Sequence, residues 1–232
     1  MENLGYYNGK FGPLDEMVVP MNDRVCWFGD GVYDAGPARN GKIFALDEHL
    51  DRFYNSARLT NIQIPVSREE LTDLLYDLLG KVDSAEHFVY YQCTRGTAVR
   101  QHDYVEGPGN LWVMIKPQTM SDGTKRIKLR SEPDTRFFHC NVKTLNLLPA
   151  VMSSQAAKKE GVDETVYYRH EMGDRVTECA HSNVSIIRDD ELWTAPTDNL
   201  ILPGIARKHL IKAANTLGIP VREEPYDLDT LR

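Results

Sequence analysis

Asn141-Val142-Lys143-Thr144-Leu145-Asn146-Leu147-Leu148 sets one lysine among Val142, Leu145, Leu147 and Leu148. Apolar neighbours strip water from an amine and favour its neutral form, which leaves a nucleophile for a carbonyl and allows a Schiff base. Glu178, in Val176-Thr177-Glu178-Cys179, lies in the same half of the chain. A carboxylate opposite such a lysine could keep a pyridine nitrogen protonated, and a pyridoxal ring in that state is an electron sink for a carbanion. Each residue also has a plainer reading: Lys143 as a surface lysine opening an amphipathic helix, and Glu178 as a solvent-facing strand carboxylate.

Outward from this stretch, the pattern predicts a helix from about Leu145 to Glu160, preceded by a strand at Arg126 to Arg130. Three short strands follow at Thr165–Tyr168, Arg175–Cys179 and Val184–Arg188, and a last helix opens near Gly204 and stops at Gly218, before Pro220. Toward the N-terminus, Asn8-Gly9 and Asn40-Gly41 are two-residue hairpin signals, the second separating Gly31–Ala35 from Ile43–Leu46. Asp47 to about Leu59 repeats apolar residues at helical spacing, and Ser67-Arg68-Glu69-Glu70 is a capping box for another helix. His87–Thr94 and Asn110–Lys116 read as a strand pair joined by a long polar loop, Arg95 to Gly109, of the kind that carries function. Pro117 to Lys125 mixes chain breakers with polar residues and no period, so it reads as a linker. These elements imply an α+β fold with an N-terminal domain over 1–116, a linker over 117–125 and a C-terminal domain over 126–232.

The chain has 232 residues, 41% hydrophobic and 26% charged, the composition of an ordinary soluble protein. A net charge of -7 with no basic run argues against a nucleic-acid or anionic-membrane partner and for small-molecule work. No segment approaches a membrane span, and the first residues show neither a basic nor an apolar leader region, so the expected location is the cytoplasm. Cys26, Cys93, Cys140 and Cys179 lack the paired spacing of metal or redox motifs and are expected as free thiols. Cys140, close to Lys143, is read as buried and inert, with a reactive thiol as the alternative.

Several ordered segments match one family. They are Phe28-Gly-Asp-Gly-Val-Tyr33, Asp47-Glu-His-Leu-Asp-Arg52, Thr94-Arg-Gly-Thr-Ala-Val-Arg100-Gln-His102, Lys143-Thr-Leu-Asn146-Leu-Leu, Val176-Thr-Glu178 with Ser182-Asn183-Val184, and Leu202-Pro-Gly204-Ile205. From about Tyr6 to Arg232 the chain resembles the fold-type-IV pyridoxal-phosphate aminotransferases, most of all those acting on D-amino acids. The resemblance implies two α+β domains with mixed and antiparallel sheets, pyridoxal 5'-phosphate between them, and a ping-pong exchange of the amino group between D-amino acids and 2-oxo acids. It implies that Lys143 forms the Schiff base and shuttles the proton, and that Glu178 pairs with the pyridinium nitrogen. Arg52 and the backbone of Gly204 and Ile205 would bind the phosphate, while Leu202 packs on the ring. Tyr33, Arg100 and His102 would trap the substrate carboxylate, with Arg100 and His102 supplied by the neighbouring subunit of a homodimer with shared active sites. His49, on the helix face of Arg52, would buttress the phosphate site or serve as a structural histidine.

The sequence departs from the family pattern in three places. The family's last helix and its phosphate-contacting Ser/Thr loop are not matched before Arg232. Ala206 stands where a threonine is common, and Ala180-His181 replace small hydroxyl residues. Ala35 and Pro37 should share a strand face with Tyr33 where bulkier residues are usual, which implies a wider side-chain pocket. Other readings of the same residues are a branched-chain L-aminotransferase, an aminodeoxychorismate lyase, or a non-catalytic pyridoxal-phosphate-binding protein. The Arg100-x-His102 pair counts against the first two.

Overall fold

Two Asn-Gly turns shape the first sheet. In the computed structural model, which describes residues 1–231, Asn8 (φ 45°) and Gly9 (φ 90°) close the hairpin between β1 (Leu4–Tyr7) and β2 (Lys10–Gly12). Asn and Gly are the residues that tolerate the left-handed conformation such a turn demands. A short helix, α1 (Arg24–Phe28), leads into β3 (Gly31–Arg39), and Asn40 (φ 50°) and Gly41 (φ 72°) turn it back into β4 (Lys42–Ile43). The strand expected over Ile43–Leu46 therefore ends at Ile43. Ala45 takes a left-handed conformation (φ 47°), and Leu46 already opens α2 (Leu46–Leu59).

The capping box forms as expected at α3 (Arg68–Leu79): the Ser67 side chain accepts from the Glu70 N–H, and the Ser67 N–H donates to the Glu70 side chain. β5 (Glu86–Thr94) and β6 (Asn110–Pro117) complete a sheet ordered β2-β1-β6-β5-β3-β4, antiparallel at every pairing. Val32, Val89, Tyr91, Leu111, Val113 and Ile115 alternate onto its buried face, as do Leu50 and Phe53 of α2 and Leu71 and Leu75 of α3 into the core. Each such side chain contributes roughly 1.5–3 kcal/mol by leaving water. α2 comes close to β3 at Gly36, where a Cβ would meet His49 Nε2 at 2.9 Å. That approach sets His49 and Arg52 over the middle of β3.

The remaining elements are β7 (Leu129–Pro133), α4 (Leu148–Glu160), β8 (Glu164–Arg169), β9 (Arg175–Cys179), β10 (Ser185–Arg188), β11 (Glu191–Thr194), α5 (Ile205–Thr216), β12 (Val221–Glu223) and α6 (Leu228–Leu231). They build two small mixed sheets, β7-β8-β9 and β10-β11-β12. β7 begins later than the strand expected at Arg126–Arg130. The Asp163 side chain accepts from the Lys128 N–H at 2.9 Å and sets the parallel register Leu129↔Glu164. β11 and β12 had no sequence counterpart, because they are short and half of their pairing is parallel to a distant strand.

The chain separates into two compact units, Met1–Gly123 with Lys143–Asn146, and Thr124–Val142 with Leu147–Arg232. Arg232, the end of the expected C-terminal domain, lies outside the described residues. Lys143–Asn146 was expected within the C-terminal domain and partly within a helix. Instead Thr144 bridges to Val32, Tyr33 N donates to Lys143 O at 3.0 Å, and Leu145 N donates to Gly31 O at 3.0 Å. The helix begins only at Leu148, with proline in its first turn, where a missing N–H is harmless.

Candidate active site

In the first unit the site is built on β3. Its alternation buries Asp34 completely and turns Tyr33, Ala35 and Pro37 to the other, half-exposed face. Lys143 runs beside Tyr33 through the backbone bond already described, its own N–H donates to Ser56 Oγ of α2 at 3.1 Å, and its Nζ lies 4.4 Å from the centre of the Tyr33 ring. Tyr33 also stacks on Tyr90, at 5.3 Å between centroids. The amine is thus half-buried against an aromatic face, in an extended segment rather than on a helix.

Asp34 gathers the groups of α2. Arg52 donates from Nε to Oδ2 and from Nη2 to Oδ1, both at 2.8 Å, and His49 Nδ1 lies 2.7 Å from Oδ1. Burial alone would raise the Asp34 pKa, but the hydrogen bonds from Arg52 and His49, with the charges of Arg52 and Lys143, outweigh it and hold the carboxyl below its ordinary value. Arg52 is therefore oriented by a bidentate ion pair, and His49 supports it through the same carboxylate. Asp34 had no assigned role in the sequence, although a carboxylate at a core position of a strand signals a buried cationic partner.

Arg100 and His102 are exposed in the loop between β5 and β6, grouped around Phe28 of α1. The Arg100 guanidinium stands 5.0 Å and the His102 ring 5.2 Å from the Phe28 ring. Between them the Gln101 carbonyl accepts from Arg24 Nη1 at 2.7 Å, and Arg24 Nε donates to Asp30 Oδ2 at 2.7 Å. Asp30 also takes Arg95 Nε at 2.9 Å, and the Arg95 guanidinium covers the Tyr104 ring at 3.8 Å. One carboxylate thus fixes the loop at its start and near its middle. Neither Asp30 nor Arg24 was singled out by sequence reasoning, since charged residues beside a polar loop look like solvated surface.

In the second unit Glu178 of β9 is 5% exposed and accepts three hydrogen bonds: from Arg136 Nη1 at 2.7 Å, Asn183 Nδ2 at 3.0 Å and Leu202 N at 3.0 Å. Burial raises its pKa against the opposing pull of Arg136 and the Leu202 N–H. Burial works against charge on Arg136 too, but its bond to Asp134 and the nearby Glu178 keep it protonated. Asn183 also donates to Leu202 O at 3.0 Å, and a Cβ on Gly204 would sit 1.9 Å from Asn183 Oδ1. Gly204 must therefore be glycine while Asn183 stays in place. It caps α5 without any side-chain hydrogen bond, and Ile205, buried, is the first helical residue. Three expected residues, Glu178, Leu202 and Gly204, thus meet at Asn183. Arg136 was missed, because nothing in Asp134-Thr135-Arg136 distinguishes it from a polar turn. Cys140 is buried and its thiol is pushed up to about 11, mainly by desolvation, which fits the inert reading.

Each unit offers donor types that pyridoxal phosphate needs: the first an amine for an aldehyde and a guanidinium for a phosphate, the second a helix start without a side-chain cap for a phosphate and a buried carboxylate for a ring nitrogen. The family Amino-transferase class IV matches residues 31–232. A D-alanine aminotransferase of Listeria monocytogenes serotype 1/2a (strain 10403S) is 38% identical over 231 residues, 97% of this chain and 79% of that protein. Among solved structures, the branched-chain aminotransferase of Thermoproteus uzoniensis with norvaline has a TM-score of 0.87 at 20% identity, covering 98% of this chain and 80% of that one. The branched-chain amino acid aminotransferase of Escherichia coli has a TM-score of 0.87 at 20% identity, covering 100% and 79%. The chain belongs to the class IV aminotransferases, with the α+β fold of type IV. It is a pyridoxal-phosphate-dependent aminotransferase. Among the described residues no helix is long and apolar enough to cross a membrane.

Proposed function

We propose that the chain transfers amino groups between D-amino acids, of the D-alanine or D-glutamate type, and 2-oxo acids in a ping-pong cycle, one 2-oxo acid leaving before the next arrives. The observation that carries this reading is the 38% identity to a D-alanine aminotransferase over nearly the whole chain. The Arg100-x-His102 pair supports it, because a guanidinium and an imidazole held two residues apart suit a carboxylate.

Pyridoxal phosphate supplies, when bound, the electron sink that lets a substrate α-hydrogen leave as a proton. Lys143 Nζ would hold the cofactor at its aldehyde carbon and, once displaced there by the substrate's amino group, would be the free base for that proton of the α-carbon. Glu178 keeps the ring nitrogen protonated, and its three hydrogen bonds prevent it from turning away. Arg52, oriented by Asp34, is a phosphate ligand in the first unit; in the second the backbone N–H groups of Gly204 and Ile205 are phosphate donors, and Leu202 is the residue for the ring face. Tyr33, Arg100 and His102 receive the substrate carboxylate, and the side on which they receive it selects the enantiomer whose α-hydrogen faces Lys143. Arg100 and His102 serve the neighbouring copy in a homodimer, so the active sites are shared.

The alternative reading is a branched-chain L-aminotransferase, the activity named for the solved structures above, whose 20% identity bears on fold alone. An absorbance spectrum of the cofactor-loaded protein, recorded before and after D-alanine and then L-leucine, separates the two. Loss of the visible band with D-alanine only is the expected result. Loss with L-leucine only would replace the D-amino-acid reading by the branched-chain one.

A further inference from the structure

The turn after β9, residues 180–183, is held from several sides. Ala180 N donates to Thr165 O at 3.0 Å and Cys179 N to Ser182 O at 2.7 Å. Glu164 of β8, buried, accepts the His181 N–H on Oε1 at 3.1 Å and the Ser182 hydroxyl on Oε2 at 3.0 Å. The His181 ring joins this turn to two further elements. Its Nδ1 lies 2.8 Å from Glu164 Oε1, and its Nε2 lies 2.8 Å from Ser154 Oγ of α4.

A serine, a histidine and a carboxylate at these distances resemble a hydrolase triad, but this arrangement lacks the parts that acyl transfer needs. Ser154 sits inside α4, its hydroxyl already lies 2.8 Å from the Ala150 carbonyl, and the surrounding helix spends its N–H groups on its own backbone, so α4 offers no oxyanion donors.

Counting protons gives the cluster another role. With the imidazole doubly protonated, Nδ1–H donates to Glu164, Nε2–H donates to Ser154 Oγ, and the single Ser154 proton remains on the Ala150 carbonyl. Every contact is then satisfied. In the neutral ring, Nδ1–H stays on Glu164 and Nε2 becomes an acceptor, so Nε2 and the Ala150 carbonyl compete for one proton. The far end of the turn is Asn183, which holds Glu178 Oε2 and Leu202 O and sits against Gly204.

We propose that His181 is a pH-responsive positioning residue for Glu178: as imidazolium it ties the turn to α4 and β8 and so steadies Asn183, and as neutral imidazole it loosens that tie. The inference rests on the reading of Glu178 as partner of the cofactor's ring nitrogen. From β8 the group facing His181 is the charged Glu164; α4 presents the neutral Ser154, and the turn itself presents the neutral Ser182. The hydrogen bond to Glu164, and after it the Glu164 charge, raise the imidazole above its ordinary 6.5 against the opposing effect of burial. The tie is therefore complete below the ordinary value and lost as pH rises through the raised one.

Binding of pyridoxal phosphate to the full chain, followed by absorbance across the imidazole range, tests this. Affinity should fall about threefold as His181 loses its proton, the size that an exposed ion pair supplies, and this component should be missing from His181→Gln. In the protein without cofactor, the His181 ring resonance should titrate nearer the ordinary value in Glu164→Gln. Ser154→Ala, which removes the arm to α4 and leaves the turn intact, should also shrink the pH component, and it tests the tie even if His181→Gln folds poorly. Coincident pH profiles for wild type and these variants overturn the inference. Glu178→Gln separates the two readings. If it binds cofactor with wild-type spectrum and affinity, the Glu178 assignment falls and the inference falls with it; if it alters the spectrum while His181→Gln leaves the pH profile unchanged, only the inference falls.

Discussion

Lys143 meets β3, the strand that carries Asp34, from a distant part of the chain. Lys143 pairs its backbone with Tyr33, and its charge helps to depress the Asp34 carboxyl on the opposite face. On the proposed role of Lys143, replacing it with Ala removes both nucleophile and base, so kcat should drop by at least about 10³-fold while the melting transition stays sharp. Steady-state transamination by that variant at anything near the wild-type rate would refute the assignment. Asp34→Asn leaves Arg52 and His49 without their anion inside the core, and breaking such a pair costs on the order of 3 kcal/mol, measurable by denaturant unfolding. The pH dependence has a definite sign. Because the folded-state pKa is lowered from 3.8, the stabilisation is complete above that value and is lost as pH falls through the depressed one. Wild-type unfolding should therefore steepen below about pH 4, and Asp34→Asn should lose the Asp34 share of this acid limb and show a shallower one.

Among the elements, the loop from Arg95 to Gly109 is a long connection held at its entrance and near its middle. Asp30 pairs with Arg95 at the loop's entrance and with Arg24, which holds the Gln101 carbonyl between Arg100 and His102. Arg100→Ala should raise KM for the amino acid by roughly 10- to 100-fold with a smaller change in kcat, since it removes the proposed carboxylate partner. Asp30→Ala should move KM in the same direction and by less, because it loosens the loop without deleting either ligand. If Asp30→Ala leaves KM unchanged, the loop is ordered by other means. The lysine segment shows the opposite behaviour. Its leucines read as the first turn of a helix, but residues 143–146 are drawn out along β3 and α4 starts at Leu148.

For the whole molecule, the shared-site proposal makes a test that no single chain can pass. In a mixture refolded from Lys143→Ala and Arg100→Ala chains, a heterodimer regains one intact site, so about a quarter of wild-type activity should return at low substrate, although each variant alone is impaired. A mixture no more active than the average of its parents would place Arg100 in the same subunit's site. Most of the elements were legible along the chain: both Asn-Gly hairpins, the capping box of α3, β5 and β6, and the glycine stop after α5 each follow from local backbone preference and periodicity. Of the proposed site, the residues themselves offered only an amine among leucines; Arg100, His102 and the Gly204-Ile205 helix start were picked out by the resemblance, because singly they look like solvated surface and an ordinary helix start. Only the tertiary structure decided that Asp34 orients Arg52, that Asp30 holds the loop of Arg100 and His102, that Arg136 and Asn183 immobilise Glu178, and that Lys143 packs with β3. Those partners lie apart in sequence, and a buried charge has no local signal: its cost is met by a group that the fold alone brings within hydrogen-bonding distance.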